Sequence, residues 1–447
     1  MTGPAANIAS LSVFDRLIEA LGLANPRPLR GRVRKVAGNL VYASAGKARV
    51  GDACFICDRH RNVRVPAEII GFEGETALLS PLGDVAGFST ECDVVLAESA
   101  PEIPVGHALL GRAIDCLGRP LDGEGEDALR NAPRRALDAG APSALARRPI
   151  SRPLPFGIRA IDGLLTCAEG QRIGIYGEPG AGKSQLMAQI LRNAASDVNV
   201  IALIGERGRE VEELFKRRLP EAYRKRSVFV VATSDRAPIE RAKAAQTAMT
   251  VAEAFRDEGA KVLLAVDSVT RYARALREIG LAAGEPPARR GFPPSVFAAL
   301  PALFERSGNS ERGSITGVFT VLVEGDGYAD PIAEETQSLL DGHIVLSRKL
   351  SQANHFPAID INASLSRVMP DVVEKDHLTA ARKISRLLAK FNEIEFLLQV
   401  GEYKPGSDAL ADEAIGKKPV IDAFLQQATL EKAPFAQTLS TLGEIAG

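Results

Sequence analysis

The chain has no run of about 18 apolar residues, so no membrane-spanning helix is expected. It lacks the basic start and apolar core of a signal peptide. It also lacks an excess of either charge. Lys and Arg total 55 against 56 Asp and Glu, a net charge of -1. That balance argues against bulk electrostatic binding to nucleic acid. Cysteine is scarce, with five in 447 residues. In the absence of a secretion signal this suggests a reducing, cytoplasmic setting. Cys54 and Cys57 form a lone C-x-x-C with only His60 nearby. A zinc site wants a second pair or spaced histidines, so these are expected to be ordinary strand cysteines.

What is present is a globular composition, 45% hydrophobic and 25% charged, long enough for two or three domains. One stretch organises it. Gly177-Glu178-Pro179-Gly180-Ala181-Gly182-Lys183-Ser184 fits the phosphate-loop pattern G-x-x-x-x-G-K-[S/T] at every fixed position. Residues 171–176 before it have the character of a buried strand, and residues from Gln185 on that of a helix start. Strand, glycine turn and helix N-terminus aim backbone N–H groups at one point, which suits a phosphate. Lys183 is expected to reach the β- and γ-phosphates of ATP, and the Ser184 hydroxyl to ligate Mg²⁺.

Ahead of this core, Leu11, Phe14, Leu17, Ile18 and Leu21 recur at helical spacing. They predict an amphipathic helix within residues 1–24, packed on its own domain or docked on a partner or membrane surface. From about Arg30 to Ala97, short alternating segments between glycine turns predict a small β-barrel, domain 25–98. Residues 105–123 are dense in turn residues, and 130–149 are rich in Ala, Arg and Pro, so 99–149 is assigned as a linker region.

After the phosphate loop come apolar strand candidates at 198–204, 227–232, 261–266 and 313–323, with a helix from Pro238 to Arg256 among them. Continuous apolar runs alternating with helices predict a parallel sheet covered on both faces, in a domain spanning 150–365. Asp267 closes the strand 262–266, where a nucleotide's metal would sit. The alternative is that it caps the helix from Ser268 onward. Glu206 follows the strand ending at Ile204. It could polarise the water that attacks the γ-phosphate, or it could form a surface salt bridge with Arg207 or Arg209. The basic runs at 216–218 and 224–226 are expected to be a solvated face.

These residues resemble a known family, the rotary-type hexameric ATPases, which include the catalytic subunits of F- and V-type ATPases and the type III secretion ATPases. The resemblance is carried by 157–166, Gly170-Gln171-Arg172, the phosphate loop, Gly205-Glu206-Arg207-Gly208-Arg209-Glu210 and Val266-Asp267-Ser268-Val269-Thr270-Arg271-Tyr272. It continues in 290–297, Thr320 to Asp326, 341–348 and 364–368, and so covers about residue 30 to 425. Within the family, the chain is most similar to the flagellum-specific export members, and Gly401-Glu402-Tyr403-Lys404-Pro405-Gly406-Ser407-Asp408 is similar to the type III export branch. The acidic C-terminal segment of the F-type β-subunit is missing. Residues 371–396 instead run as a helix pattern carrying His377, Leu378, Ile384, Leu387 and Leu388.

The resemblance implies an α/β fold: a RecA-like P-loop domain with a small N-terminal β-barrel and a C-terminal helical domain, 366–447. It implies an ATPase that energises export of flagellar proteins through a type III apparatus, with ATP and Mg²⁺ in the site. Glu206 becomes the catalytic carboxylate, Asp267 the Walker B carboxylate and Arg207 a nucleotide-site arginine. Arg367 becomes an arginine finger serving a neighbouring subunit, against the alternative of a solvated turn arginine. Residues 177–185, Gln185 included, form the nucleotide cradle. Phe356 matches an adenine-stacking aromatic, and Tyr403 offers a second face. Implied partners are five further copies in a homo-hexamer, a regulatory or stator protein on the N-terminal helix, an export gate, a stalk subunit and export chaperone–substrate complexes. The setting implied is cytoplasmic, peripheral to the inner-membrane export apparatus. The alternatives are a virulence type III secretion ATPase, an F/V-type synthase subunit, a hexameric RNA-dependent helicase and a catalytically silent binding subunit.

Overall fold

The computed structural model describes residues 30–447, apart from 59–60, 98, 138–139 and 324–329. The expected N-terminal helix, His60 and the motif residues Glu324, Gly325 and Asp326 lie outside the described residues. The chain divides near residue 100 into two compact units.

The first unit is a closed barrel. Its strands are β1 (Arg30–Ala37), β2 (Leu40–Ser44), β3 (Ala53–Asp58), β4 (Val63–Glu73), β5 (Thr76–Pro81) and β6 (Asp93–Leu96). They run in the order β1-β2-β5-β4-β3-β6, with antiparallel neighbours. Closure leaves no strand edge open to another chain. Alternate residues face inward, as the two-residue period of a strand requires. Val41 and Ala43, Cys54 and Ile56, Ala67 and Ile69, and Ala77 and Leu79 fill the interior. The same period puts Cys54 inside and Cys57 on the outer face. Burial pushes the Cys54 thiol up to about 12, so it stays protonated. Gly31 sits where β1 and β2 cross so closely that a Cβ would lie 1.5 Å from the carbonyl oxygen of Ser44.

The second unit is built on a mainly parallel sheet. Its strands are β7 (Glu102–Pro104), β8 (Ala113–Ile114), β9 (Arg134–Ala136), β10 (Arg172–Gly177), β11 (Val198–Ile204), β12 (Ser227–Ala232), β13 (Lys261–Asp267), β14 (Gly308–Asn309), β15 (Ser314–Leu322), β16 (Gly342–Leu346) and β17 (Ile359–Ser366). Among the described residues the sheet runs β17-β16-β10-β15-β13-β11-β12-β8, with β14 beside β15. Strands β10 to β13 and β15 are mostly apolar and buried along nearly their whole length, on both faces of the sheet. Helix Pro238–Asp257 packs on β11, β12 and β13, and its alanines let the backbones approach.

Strand β8 extends the sheet beyond β12 from within the turn-rich segment 105–123. Two residues are too short for any periodicity to betray a strand. The segment is fixed by a clamp: the Arg112 guanidinium donates to both oxygens of Asp122, at 2.6 and 2.9 Å, with both side chains almost fully buried. The Ala- and Arg-rich stretch after it runs along this unit, where Arg147 donates to the carbonyl of Ser307 at 3.0 Å and Arg148 to that of Ser310 at 2.7 Å. The C-terminal part is helical, with helices Lys375–Gln399, Ala409–Leu425 and Phe435–Ala446. His377, Ile384, Leu387 and Leu388 are buried on the first of these, and Leu378 is partly buried.

Candidate active site

Strand β10 ends at Gly177, and helix Lys183–Asn193 starts on the far side of the glycine turn. Gly180 and Gly182 hold φ of 85° and 96°, a left-handed backbone that suits glycine. The ammonium of Lys183 donates to the carbonyls of Gly177 and Glu178, the second at 3.1 Å. Burial lowers its pKa to about 8, against the upward pull of Asp267 and Glu206. A cation held among carbonyls and short of water attracts an incoming anion strongly.

Asp267 ends β13. Thr320 on β15 donates to its carboxylate at 2.5 Å. Burial raises the pKa of Asp267, while Thr320 and Lys183 oppose the rise. The helix cap is its neighbour: Ser268 Oγ accepts from the backbone N–H of Arg271 at 3.3 Å. The cap therefore does not use the Asp267 carboxylate.

Glu206 follows Gly205, whose φ of 68° turns the chain at the end of β11. A Cβ at Gly205 would stand 2.9 Å from Cδ of Arg271. That packing sets Arg271 against Glu206, with an ion pair at 3.3 Å. Neither surface salt bridge open to Glu206 in the sequence forms. Arg207 is well exposed and lies 4.0 Å from Glu210 instead. Burial raises the Glu206 pKa, Asp267 and Glu210 raise it further, and Arg271 works against them.

Ser184, Glu206, Arg207, Arg209, Glu210 and Asp267 all line one cavity of about 290 Å³. Its donors include a hydroxyl and three carboxylates, the hard oxygen set that Mg²⁺ takes. Among the described residues no group of three metal-binding side chains forms a closed cage.

Two more expected residues lie beside the loop. Phe356 approaches Gly182, with its ring carbon 3.8 Å from where a Cβ would be. Gly182, Gln185 and Phe356 enclose only about 10 Å³, room for about one water. A purine stacked on Phe356 would therefore lie outside this space or open it. Gln185 donates to the Thr429 hydroxyl at 2.6 Å, linking the loop helix to the C-terminal region. Tyr403 is not brought to the loop. Its hydroxyl donates to Asp412 at 2.9 Å, within the turn between two C-terminal helices.

Arg367 lies at the other end of the sheet. Its backbone N–H donates to the carbonyl of Asp341 at 3.0 Å, and its guanidinium to that of Gln337 at 3.1 Å. Asp341 accepts from the backbone N–H of Arg172, the first residue of β10, at 2.9 Å. The phosphate loop begins at the last residue of that strand, about 16 Å away at the rise of a parallel strand. Arg367 is exposed and cannot reach its own loop across that span.

Arg271, Glu210 and Thr320 were not singled out from the sequence. Arg271 falls inside a stretch that carries the family resemblance, four residues past Asp267. Its role depends on the helix start folding it back towards β11, which no local pattern signals.

Comparison with known proteins shows the family. Residues 157–366 match the model of the ATP synthase alpha/beta family, nucleotide-binding domain, and 373–444 match that of the T3SS EscN ATPase C-terminal domain. The chain is 52% identical over 419 residues to a type 3 secretion system ATPase of Sinorhizobium fredii, covering 94% of this chain and 92% of that protein. It is 44% identical to a flagellum-specific ATP synthase of Pseudomonas aeruginosa, covering 96% and 95%. Among solved structures, the assembled ATPase EscN from the enteropathogenic E. coli type III secretion system superposes with a TM-score of 0.89 at 46% identity, covering 93% of this chain and all of that one. On these relatives and both domain matches, the chain belongs to the type III secretion ATPases, a branch of the ATP synthase alpha/beta family.

Proposed function

We propose that the chain hydrolyses ATP in a homo-hexameric ring, at sites shared between neighbours, to energise protein export through a type III apparatus. The observation that carries this reading is the cavity in which Ser184, Asp267 and Glu206 meet beside the phosphate loop. The reaction is in-line transfer of the γ-phosphoryl group to water. Backbone N–H groups of residues 177–185 cradle the phosphates, and Lys183 neutralises β/γ charge. Glu206 orients the attacking water, and Arg271 beside it fixes the carboxylate's direction. Ser184 and Asp267 would hold Mg²⁺, which when bound supplies charge neutralisation across the phosphates. Arg367 of the neighbouring subunit stabilises charge on the transferring group. Phe356 offers a face to the adenine, and Arg207 contacts the nucleotide from the cavity wall.

EscN has been solved in complex with its central stalk, EscO. By analogy, a stalk subunit is the partner expected on the ring axis. A regulatory protein on the N-terminal segment, an export gate and chaperone–substrate complexes complete the expected set. Among the described residues no helix is long and apolar enough to cross a membrane. We place the ring on the cytoplasmic side, peripheral to the export apparatus. The segment 401–408 supports the export branch, and the overall resemblance to flagellum-specific members favours a flagellar role. A second reading, a virulence-type secretion ATPase, is favoured by the higher identity to the Sinorhizobium relative.

The test is ATPase activity measured across protein concentration. Sites completed between subunits give a specific activity that rises with concentration and levels off as rings form. Specific activity independent of concentration, from a demonstrated monomer, overturns the shared-site reading.

A further inference from the structure

Gln171 stands at the head of β10 and is fully buried. A buried amide is costly unless its hydrogen bonds are made, and an apolar residue would fill the same space at less cost. The amide here is well used. Its oxygen accepts from the backbone N–H of Ala168 at 2.9 Å. Its nitrogen donates to the carbonyl of Asp341 at 3.2 Å and to the hydroxyl of Ser366 at 3.3 Å. Both targets bear on one residue. The Asp341 carbonyl is the one that accepts the backbone N–H of Arg367. Ser366 is the residue before Arg367, and its hydroxyl donates onward to the carbonyl of Thr166 at 2.8 Å. The Asp341 side chain completes the bracket by accepting from the N–H and the guanidinium of Arg172. None of these groups lines the cavity beside the phosphate loop.

We propose that Gln171 is a positioning residue for the neighbouring subunit's reaction, fixing the backbone from which Arg367 reaches across the subunit boundary. This rests on the reading of Arg367 as a residue acting in trans. The physical reason is leverage. Arg367 has a long, rotamer-rich, exposed side chain, tied within its own chain by a hydrogen bond to the Gln337 carbonyl. To reach a neighbour the guanidinium must leave that carbonyl, and it is then placed only as well as its backbone. A misplacement of about 1 Å can cost about 100-fold in rate. Gln171 removes that freedom by binding the chain on either side of the Arg367 N–H. It does so from the strand that leads to its own subunit's phosphate loop.

Gln171→Leu should bind ATP with an affinity within about twofold of the parent and lose about 10- to 100-fold in turnover. Ser366→Ala removes one acceptor without adding bulk and should lose less. Mixed rings supply the readout that a merely structural role would not move. A Lys183→Ala subunit has a dead loop but an intact bracket and an intact Arg367. An Arg367→Ala subunit has an intact loop only. Gln171→Leu mixed with Lys183→Ala should recover single-turnover hydrolysis, because the intact arginine meets the intact loop. Gln171→Leu mixed with Arg367→Ala should not. Recovery with Arg367→Ala alone would mean that Gln171 serves its own loop, and would overturn the proposal. Recovery with neither, in rings shown to assemble, would also overturn it. Ser366→Ala carries the same comparison if Gln171→Leu does not fold, and parent-level turnover in Ser366→Ala overturns the proposal too. The pair Lys183→Ala with Arg367→Ala decides the trans reading by itself, so its failure is distinct from a failure of Gln171.

Discussion

Arg271 holds the carboxylate of Glu206 at 3.3 Å, in a contact made by the close packing of Gly205 against the arginine stem. The pair sets two opposing influences on one acid. Burial and Asp267 favour its protonated form, and Arg271 favours the charged form. A carboxylate that orients water must be charged. Arg271→Ala should therefore raise the Glu206 pKa further and move the rising acid limb of the kcat/KM profile to higher pH. It should also lower kcat at neutral pH. An unshifted limb in that variant would remove Arg271 from this role.

Glu206→Gln keeps the shape and removes the charge. ATP binding should persist while hydrolysis falls by about 10²- to 10⁴-fold. Nucleotide binding by fluorescence and turnover by phosphate release separate the two. A variant that loses binding and folding together would make Glu206 structural.

Arg367→Ala should bind ATP nearly normally and lose about 10³- to 10⁵-fold in turnover, the usual worth of an arginine finger. Lys183→Ala should lose hydrolysis and bind nucleotide weakly as well, because it removes charge from the loop itself. Parent-level turnover in Lys183→Ala would sink the whole reading of the site.

The clamp between Arg112 and Asp122 makes a stability prediction. The guanidinium and the N–H groups of Ala113 and Glu124 lower the Asp122 pKa to about 2, against the effect of burial. An acid whose folded pKa is depressed stabilises the fold above its unfolded pKa, near 4, and that contribution is lost as pH falls towards 2. Asp122→Asn leaves a buried guanidinium short of its partner and should cost about 3 kcal/mol at neutral pH. Denaturant melts at pH 7 and pH 3 should show the difference between parent and variant shrinking at the lower pH.

Gly31→Ala should destabilise the barrel by about 3 kcal/mol or more, because its methyl would collide with the Ser44 carbonyl. Nucleotide affinity of the second unit should be unchanged. A parent-like melt of the barrel would contradict the close approach of β1 and β2.

The parts of the fold legible in the sequence are those in which one signal runs long enough to be unambiguous. Strands 198–204, 227–232 and 261–267 announce themselves as dominantly apolar runs without alternation, as a strand covered on both faces requires. The barrel shows as alternation between glycine turns. Strand β8 was invisible because two residues carry no period. The phosphate loop was legible because its mechanism needs specific residues at fixed spacing. Arg271, Glu210 and Thr320 come from separate elements and meet only when β11, β13 and β15 lie side by side, which no window of sequence contains. Tyr403 shows the converse. A promising aromatic near a family segment is bound into its own turn by Asp412.

The placement of Arg367 at one end of β10 and the phosphate loop at the other has a genetic consequence. On the trans reading of Arg367 proposed above, damage to it spares the site of the chain that carries it and disables the site of its neighbour. A cell making both sound and Arg367-altered copies would build rings in which sound chains are silenced by their company. Each altered copy costs the ring one site, as many as a loop lesion costs, but the site lost sits on a sound chain. A lesion confined to the phosphate loop would spoil only the sites of the chains that bear it.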